Sequence, residues 1–190
     1  MIPSLLPLVL FIALLPLMSA TTMPPRRHHH HHHASGLKSM HFSLYQHETI
    51  NKTGYIIVNG VAGPSVSQTT TPFGTLFAFQ DPLRATANGS SEALGVAEGA
   101  SITSGLDGLS SISIATISLD VEGHKGSISI IGNTHNIKPS DHPVVGGTGD
   151  FLFAQGYVTS SPVDLKGITV VYKIDFHIYW PPFAAMAAMA

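Results

Sequence analysis

The chain has 190 residues, 44% of them hydrophobic and only 11% charged, with a formal net charge of -2 and no cysteine. A soluble domain usually carries about a quarter charged residues, so this composition, rich in uncharged Ser, Thr and Gly, suits a β-rich domain with much buried area. The missing cysteines exclude disulfides and thiol or Cys-metal chemistry, and the near-neutral balance offers neither a basic field for nucleic acid nor a polybasic patch for a membrane surface.

Residues 1–20 read as a secretory signal: 5–18 is an almost unbroken apolar run, and Met18-Ser19-Ala20 ends on the small residue that signal peptidase prefers. The run is short of the roughly 20 apolar residues a membrane span needs, although Met1-Ile2-Pro3-Ser4 lacks the usual Lys or Arg. The expected destination is the apoplast, with no membrane association once the signal is removed. Two sequons fit that route, Asn51-Lys52-Thr53 and Asn88-Gly89-Ser90, so Asn51 and Asn88 are candidate glycosylation sites. Residues 21–39 show no periodicity and read as a disordered lead-in, its six histidines (28–33) having no designed metal geometry.

From residue 40 the chain breaks into short β-like segments punctuated by Gly, Pro, Asn and Asp, and 40–183 reads as one domain. In 41–49 (HFSLYQHET), Phe42, Leu44 and Gln46 alternate with Ser43, Tyr45 and His47; 55–58 is β-branched and aromatic. Segment 73–79 alternates Phe and Thr with small residues and is expected to stop at Asp81-Pro82. A Gly-broken strand at 92–101 precedes 111–119 (SISIATISL), the cleanest period-two run, and a turn at 122–126 leads into 127–131. Gly146-Gly147-Thr148-Gly149 suggests a tight bend or bulge with positive φ before Asp150 re-enters a strand. As a phosphate loop it lacks the Lys and the following helix. Strands at 149–159 and 168–179 complete the set, Trp180-Pro181-Pro182 ends the last, and 184–190 reads as a frayed tail. Many evenly spaced strands without helical periods indicate an all-β sandwich or barrel. Closure into a barrel would remove the open edges that a chain poor in Lys defends badly.

Three segments carry a resemblance. Phe73 to Leu83 (FGTLFAFQDPL) resembles the FGTxxxFxDPL signature of the dirigent family, 144–156 (VVGGTGDFLFAQG) its VVGGTGxFxxAxG signature, and Gly126-Ser127 to Gly132 the strand between them. Order and spacing agree over about 40–179. The resemblance implies an eight-stranded antiparallel β-barrel, of the kind shared with allene oxide cyclases, usually assembled as a homotrimer around a largely apolar pocket. Known members steer phenolic radicals or quinone methides in lignan formation, or close a ring with loss of water to make pterocarpans. The implied ligand is a small phenolic or isoflavonoid, and no metal, nicotinamide or flavin is required.

Departures from the lignan-forming pattern point to the legume pterocarpan synthase branch, which 41–55 and 138–143 resemble. His47-Glu48 stands where lignan-forming members carry His-Asp, Thr134 or His135 where they carry Asp, and Ser140 where they carry Arg. Ser101 and Thr103 occupy a region where tyrosines are common. Glu48 is therefore the candidate acid/base, its pKa expected to rise in an apolar barrel, with Gln46 on the same strand face. Thr103, Thr134, His135 and Ser140 are the candidate substrate-binding residues. In the last strand Lys173, Asp175, His177 and Tyr179 share a face expected to be exterior. A non-catalytic guide for radical coupling beside an oxidase, and a phenolic-sequestering defence protein, are the alternatives.

Overall fold

Period-two patterning cuts the chain from 38 to 180 into nine strands. The computed structural model describes residues 38–182 and 184. The strands are β1 (Lys38–Thr49), β2 (Gly54–Val58), β3 (Leu76–Arg84), β4 (Ala93–Thr103), β5 (Ser110–Val121), β6 (His124–His135), β7 (Ser140–Gly149), β8 (Gln155–Asp164) and β9 (Thr169–Trp180). The leader, the polyhistidine tract and most of the tail lie outside the described residues. Lys38 and Ser39, expected in the lead-in, begin β1 and pair with Trp180 and Tyr179.

One antiparallel sheet runs β1-β9-β8-β7-β6-β5-β4-β3-β2, and a β1–β3 pairing closes it. Both β1 and β2 use the same edge of β3: Tyr45 and Gln46 pair with Arg84 and Leu83, Gly54 and Tyr55 with Phe79 and Ala78. The two therefore act as one interrupted strand, and the ring has the expected eight staves. Closure satisfies the backbone groups that open edges would leave bare.

Two local readings are corrected. Asp81-Pro82 does not end a strand; β3 continues to Arg84, with Asp81 opposite Ala97 and Pro82 opposite Val96. In the glycine-rich signature the expected bulge and a positive φ are present, but Asp150 does not re-enter a strand. Strand β7 runs through Gly146 and Gly147, bulges opposite Ser129–Ile130, and ends at Gly149 (φ 59), after which the chain turns through Asp150 to Phe153. A Cβ on Gly147 would stand 2.1 Å from the Phe151 carbonyl oxygen, so the turn can fold back only over glycine. The β5–β6 connection is a two-residue hairpin in which Glu122 and Gly123 both have positive φ, as a type I′ turn requires.

Inward-facing residues change character along the strands. On β5 they run Ser111, Ser113, Ala115, Ile117, Leu119, Val121; on β1, Glu48 and Gln46 give way to Leu44, Phe42 and Met40; on β9, Tyr172 to Ile174, Phe176, Ile178 and Trp180. One end of the barrel is thus packed solid, with Phe42 stacked on Phe176 at 4.4 Å and Phe151 on Trp180 at 6.2 Å. Ala184, which the sequence reading put in a frayed tail, is buried in that cluster. The other end is lined by polar groups and stays hollow.

The outside is the inverse. Tyr55, Val58, Ile102, Ile112, Ile114 and Ile131, each more than 40% exposed, lie on the outer faces of β2, β4, β5 and β6, where Ile102 pairs with Ile112 and Ile114 with Ile131. They form an uncovered apolar band of the sort that marks an interaction surface.

Candidate active site

The hollow end is walled by the C-terminal ends of β1, β4, β6 and β8 and the N-terminal ends of β3, β5, β7 and β9. Residues 67–71, from the β2–β3 connection, lie over it. Four ties hold this cover: Thr71 and Thr103 hydroxyls 2.5 Å apart, the Thr71 backbone N–H donating to the Gly108 carbonyl at 3.1 Å, the Asn136 amide donating to the Thr69 carbonyl at 2.7 Å, and the Gln68 amide donating to the Gly167 carbonyl. The cover lines the mouth of the cavity, which is floored by Ile117, Ile130, Val158 and Ile174.

Carboxyl groups meet at the seam that closes the barrel. Gln46 pairs with Leu83, and carrying that register two residues further sets Glu48 opposite Asp81. Like charges facing each other across a strand pair are unfavourable, and here they are also desolvated. Burial, with the Asp81 charge adding to it, pushes Glu48 up to about 8. Among the described residues no hydrogen bond opposes that shift, and at about 8 the protonated form of Glu48 is favoured at neutral pH. Its remaining exposed surface faces the cavity.

Asp81 is completely buried. Burial raises it to about 6, with the nearby Thr53 hydroxyl and the Gln46 amide pulling the other way. The Gln46 amide donates to Asp81 Oδ2 at 2.7 Å, while Oδ1 has no partner among the described residues. Tyr172, beside Gln46 in the β1–β9 register, has its phenol pushed above the ordinary range by burial and then by the Glu48 and Asp81 charges. It keeps its proton and can only donate or accept a hydrogen bond. One wall thus holds an acid poised near neutrality, an ionisable neighbour and a phenol.

Of the sequence candidates, Glu48, Gln46, Thr103 and Thr134 line the cavity. Thr103 spends its hydroxyl on the cover, and Thr134 donates to Ser113 at 2.8 Å. His135 and Ser140 do not line it. The Ser140 hydroxyl accepts the His135 backbone N–H at 2.8 Å and ties the β6–β7 turn. The inward positions beside them belong to Asn136 and His142. Asp141 and His142 point apart, Asp141 accepting from Thr159 at 2.6 Å while His142 is buried in the cavity wall. The sequence gives no signal for Tyr172, Asn136 and Ser160, while Asp81 reads there more as a strand terminator than as a site carboxylate and His142 only as a neighbour of Asp141. For Asp81 the signal was present, since the inward parity of Phe77 and Phe79 continues through it.

The last-strand stripe is exterior as expected: Lys173 pairs with Asp175 at 2.7 Å, and His41 meets His177 at 3.2 Å. Arg84 donates to the Ser91 carbonyl and does not reach the cavity. Asn51, at a positive-φ turn, and Asn88 are both exposed. Among the described residues no three His, Asp or Glu side chains gather to share a metal ion.

Comparison with known proteins covers most of the chain. A family model described as dirigent-like protein matches residues 39–179. Dirigent protein 23 of Arabidopsis thaliana is 28% identical over 152 residues, 79% of this chain and 81% of that protein. Pterocarpan synthase 1 of Glycyrrhiza echinata is 27% identical over 152 residues, 75% of this chain and 78% of that protein. A solved structure of a pterocarpan synthase dirigent protein superposes with a TM-score of 0.66 at 24% identity, covering 76% of this chain and 91% of its own. At that identity the superposition speaks for the shared barrel.

Proposed function

The chain belongs to the dirigent family, and from that premise we propose that it is a dehydratase of the pterocarpan synthase type, closing a 2′-hydroxyisoflavanol to a pterocarpan with loss of water. The observation that carries this reading is Glu48: a buried carboxylic acid raised to about 8, lining the cavity, with Asp81 opposite it. An acid that holds its proton at pH 7 can give it to a leaving hydroxyl.

The benzylic C4 hydroxyl takes the Glu48 proton and departs as water, while the C7 phenol loses its own proton and the ring becomes a quinone methide. The 2′ phenol then adds to C4, its proton returns to Glu48, and the C7 oxygen regains a proton as the ring becomes aromatic. The sum is substrate to product plus water, with no oxidant. Tyr172 and Gln46 would orient the leaving oxygen, and the apolar floor and the cover would keep water from capturing the quinone methide.

A guide for radical coupling is the second reading, supported by the similarity to plain dirigent proteins. The two separate on oxidant dependence. With the purified protein and a 2′-hydroxyisoflavanol but no oxidase, we expect stereoselective formation of the pterocarpan, followed as loss of water by mass spectrometry. Absence of turnover with every stereoisomer, together with selective coupling of coniferyl alcohol once a laccase is added, would establish the guide instead.

Assembly and destination belong to the same proposal. The apolar band over β2, β4, β5 and β6 is suited to burial against further copies of the chain in a homotrimer. The leader and the exposed Asn51 and Asn88 fit a secreted, glycosylated apoplastic protein.

A further inference from the structure

On the wall across from Glu48, one buried polar side chain has no structural task. His142 is 3% exposed and lines the cavity. It pairs with Val158, itself buried, so the β7–β8 register turns both inward. Its Nδ1 is shut against β6, where a Cβ on Gly132 would stand 3.1 Å away, and has no hydrogen-bond partner among the described residues. A side chain at position 132 would press on the ring, which would have to give by a few tenths of an ångström. Nε2 is then the nitrogen a bound molecule can reach.

A buried imidazole without partners is a net cost, and the neighbouring carboxylate does not relieve it, since Asp141 is turned outward to Thr159. Burial holds His142 below the ordinary histidine range, so it is neutral at pH 7. A neutral imidazole supplies a donor and an acceptor but no charge to hold an ion. Among the described residues no Lys or Arg lines the cavity to hold an anion, and the Phe77 and Phe79 rings, with centroids 6.5 Å apart and planes tilted by 30°, offer an aromatic wall. The complementary ligand is an uncharged aromatic ring bearing a hydroxyl.

We propose that His142 is a ligand-anchoring and specificity-determining residue, pairing with a phenolic hydroxyl of the bound molecule on the wall across the barrel from Glu48. Two anchors on opposite walls fix an elongated aromatic molecule in one orientation. The anchor operates whether the bound phenol is dehydrated or coupled, so it goes beyond the dehydratase reading.

Equilibrium binding tests it. The probe is 7,2′-dihydroxyisoflavan, unreactive because it lacks the C4 hydroxyl, measured beside the two analogues that each lack one phenol. The intact protein is expected to bind one of the mono-deoxy analogues about 10-fold or more weakly than the parent. In His142→Phe that ratio should fall to about 1, the parent binding as weakly as the deoxy compound. His142→Gln, which keeps a polar group and similar bulk, should retain part of the ratio and covers the case in which the Phe variant does not fold. If isoflavans do not bind at all, the dehydratase reading fails while the anchor is still tested by coniferyl alcohol against its 4-deoxy analogue. A parent-to-deoxy ratio in His142→Phe or His142→Gln equal to that of the intact protein would overturn the anchor, as would equal binding of parent and deoxy compounds by the intact protein in both ligand sets.

Discussion

Glu48→Gln is expected to slow water loss by about 10²–10⁴-fold, the usual contribution of a positioned general acid, while leaving the barrel folded. Glutamine has nearly the shape of protonated glutamic acid and keeps its place beside Asp81, so binding should change little. What it lacks is the proton that the C4 hydroxyl must receive and the carboxylate that must accept one back. The loss should therefore fall on kcat and not on KM, as for an interaction made only in the transition state. The check is single-turnover product formation by mass spectrometry, with 7,2′-dihydroxyisoflavan binding as a control. A Gln variant that turns over at the parent rate would remove Glu48 from the chemistry.

Raising the pH from about 6.5 to 8 is expected to destabilise the folded protein, and Glu48→Gln should flatten that limb. Glu48 is raised from 4.5 to about 8, so the folded state binds its proton more tightly than the unfolded chain does. Its contribution is complete below 4.5 and is lost as pH rises towards 8. Asp81, raised from 3.8 to about 6, behaves alike over its lower window. His142 works the other way: its folded value is depressed below 6.5, so its contribution is complete above 6.5 and lost on acidification. Among these three groups only Glu48 titrates between 6.5 and 8, and at about 1.4 kcal/mol per pH unit the loss there is about 2 kcal/mol. For a chain of this size that lowers Tm by roughly 4–8 °C. Thermal unfolding of the parent and the variant at the two pH values checks it, and equal slopes would contradict the assignment.

Much of this was legible in the residues. Glu48 and Gln46 share a strand face whatever the tertiary structure does, and the order of the FGTLFAFQDPL and VVGGTG words carried both family and barrel. Asp81 was hidden by its proline. Whether Asp-Pro ends a strand or continues it depends on which edge loses the N–H, a property of the neighbouring strand and not of the dipeptide. His142 was hidden by register: the β6–β7 turn decides whether 140 and 142 or 141 face inward, and a one-residue change would exchange Asp141 for His142. The run 111–119 misleads for a related reason. Ile112 and Ile114 look like core but lie outside on the apolar band, while Ser111 and Ser113 turn in to line the cavity. At the mouth, polarity follows the ligand and the assembly surface, inverting the pattern that holds at the packed end.

The proton on Glu48 is the claim on which the rest depends, and it can be observed directly. Carbon-13 NMR of the side-chain carboxyl of Glu48, assigned by its disappearance in Glu48→Gln and followed from pH 4 to pH 9, should show a midpoint near 8. A midpoint near 4.5, the ordinary value, would mean that the group is ionised at neutral pH, and the acid-catalysed dehydration proposed for this barrel would have no acid.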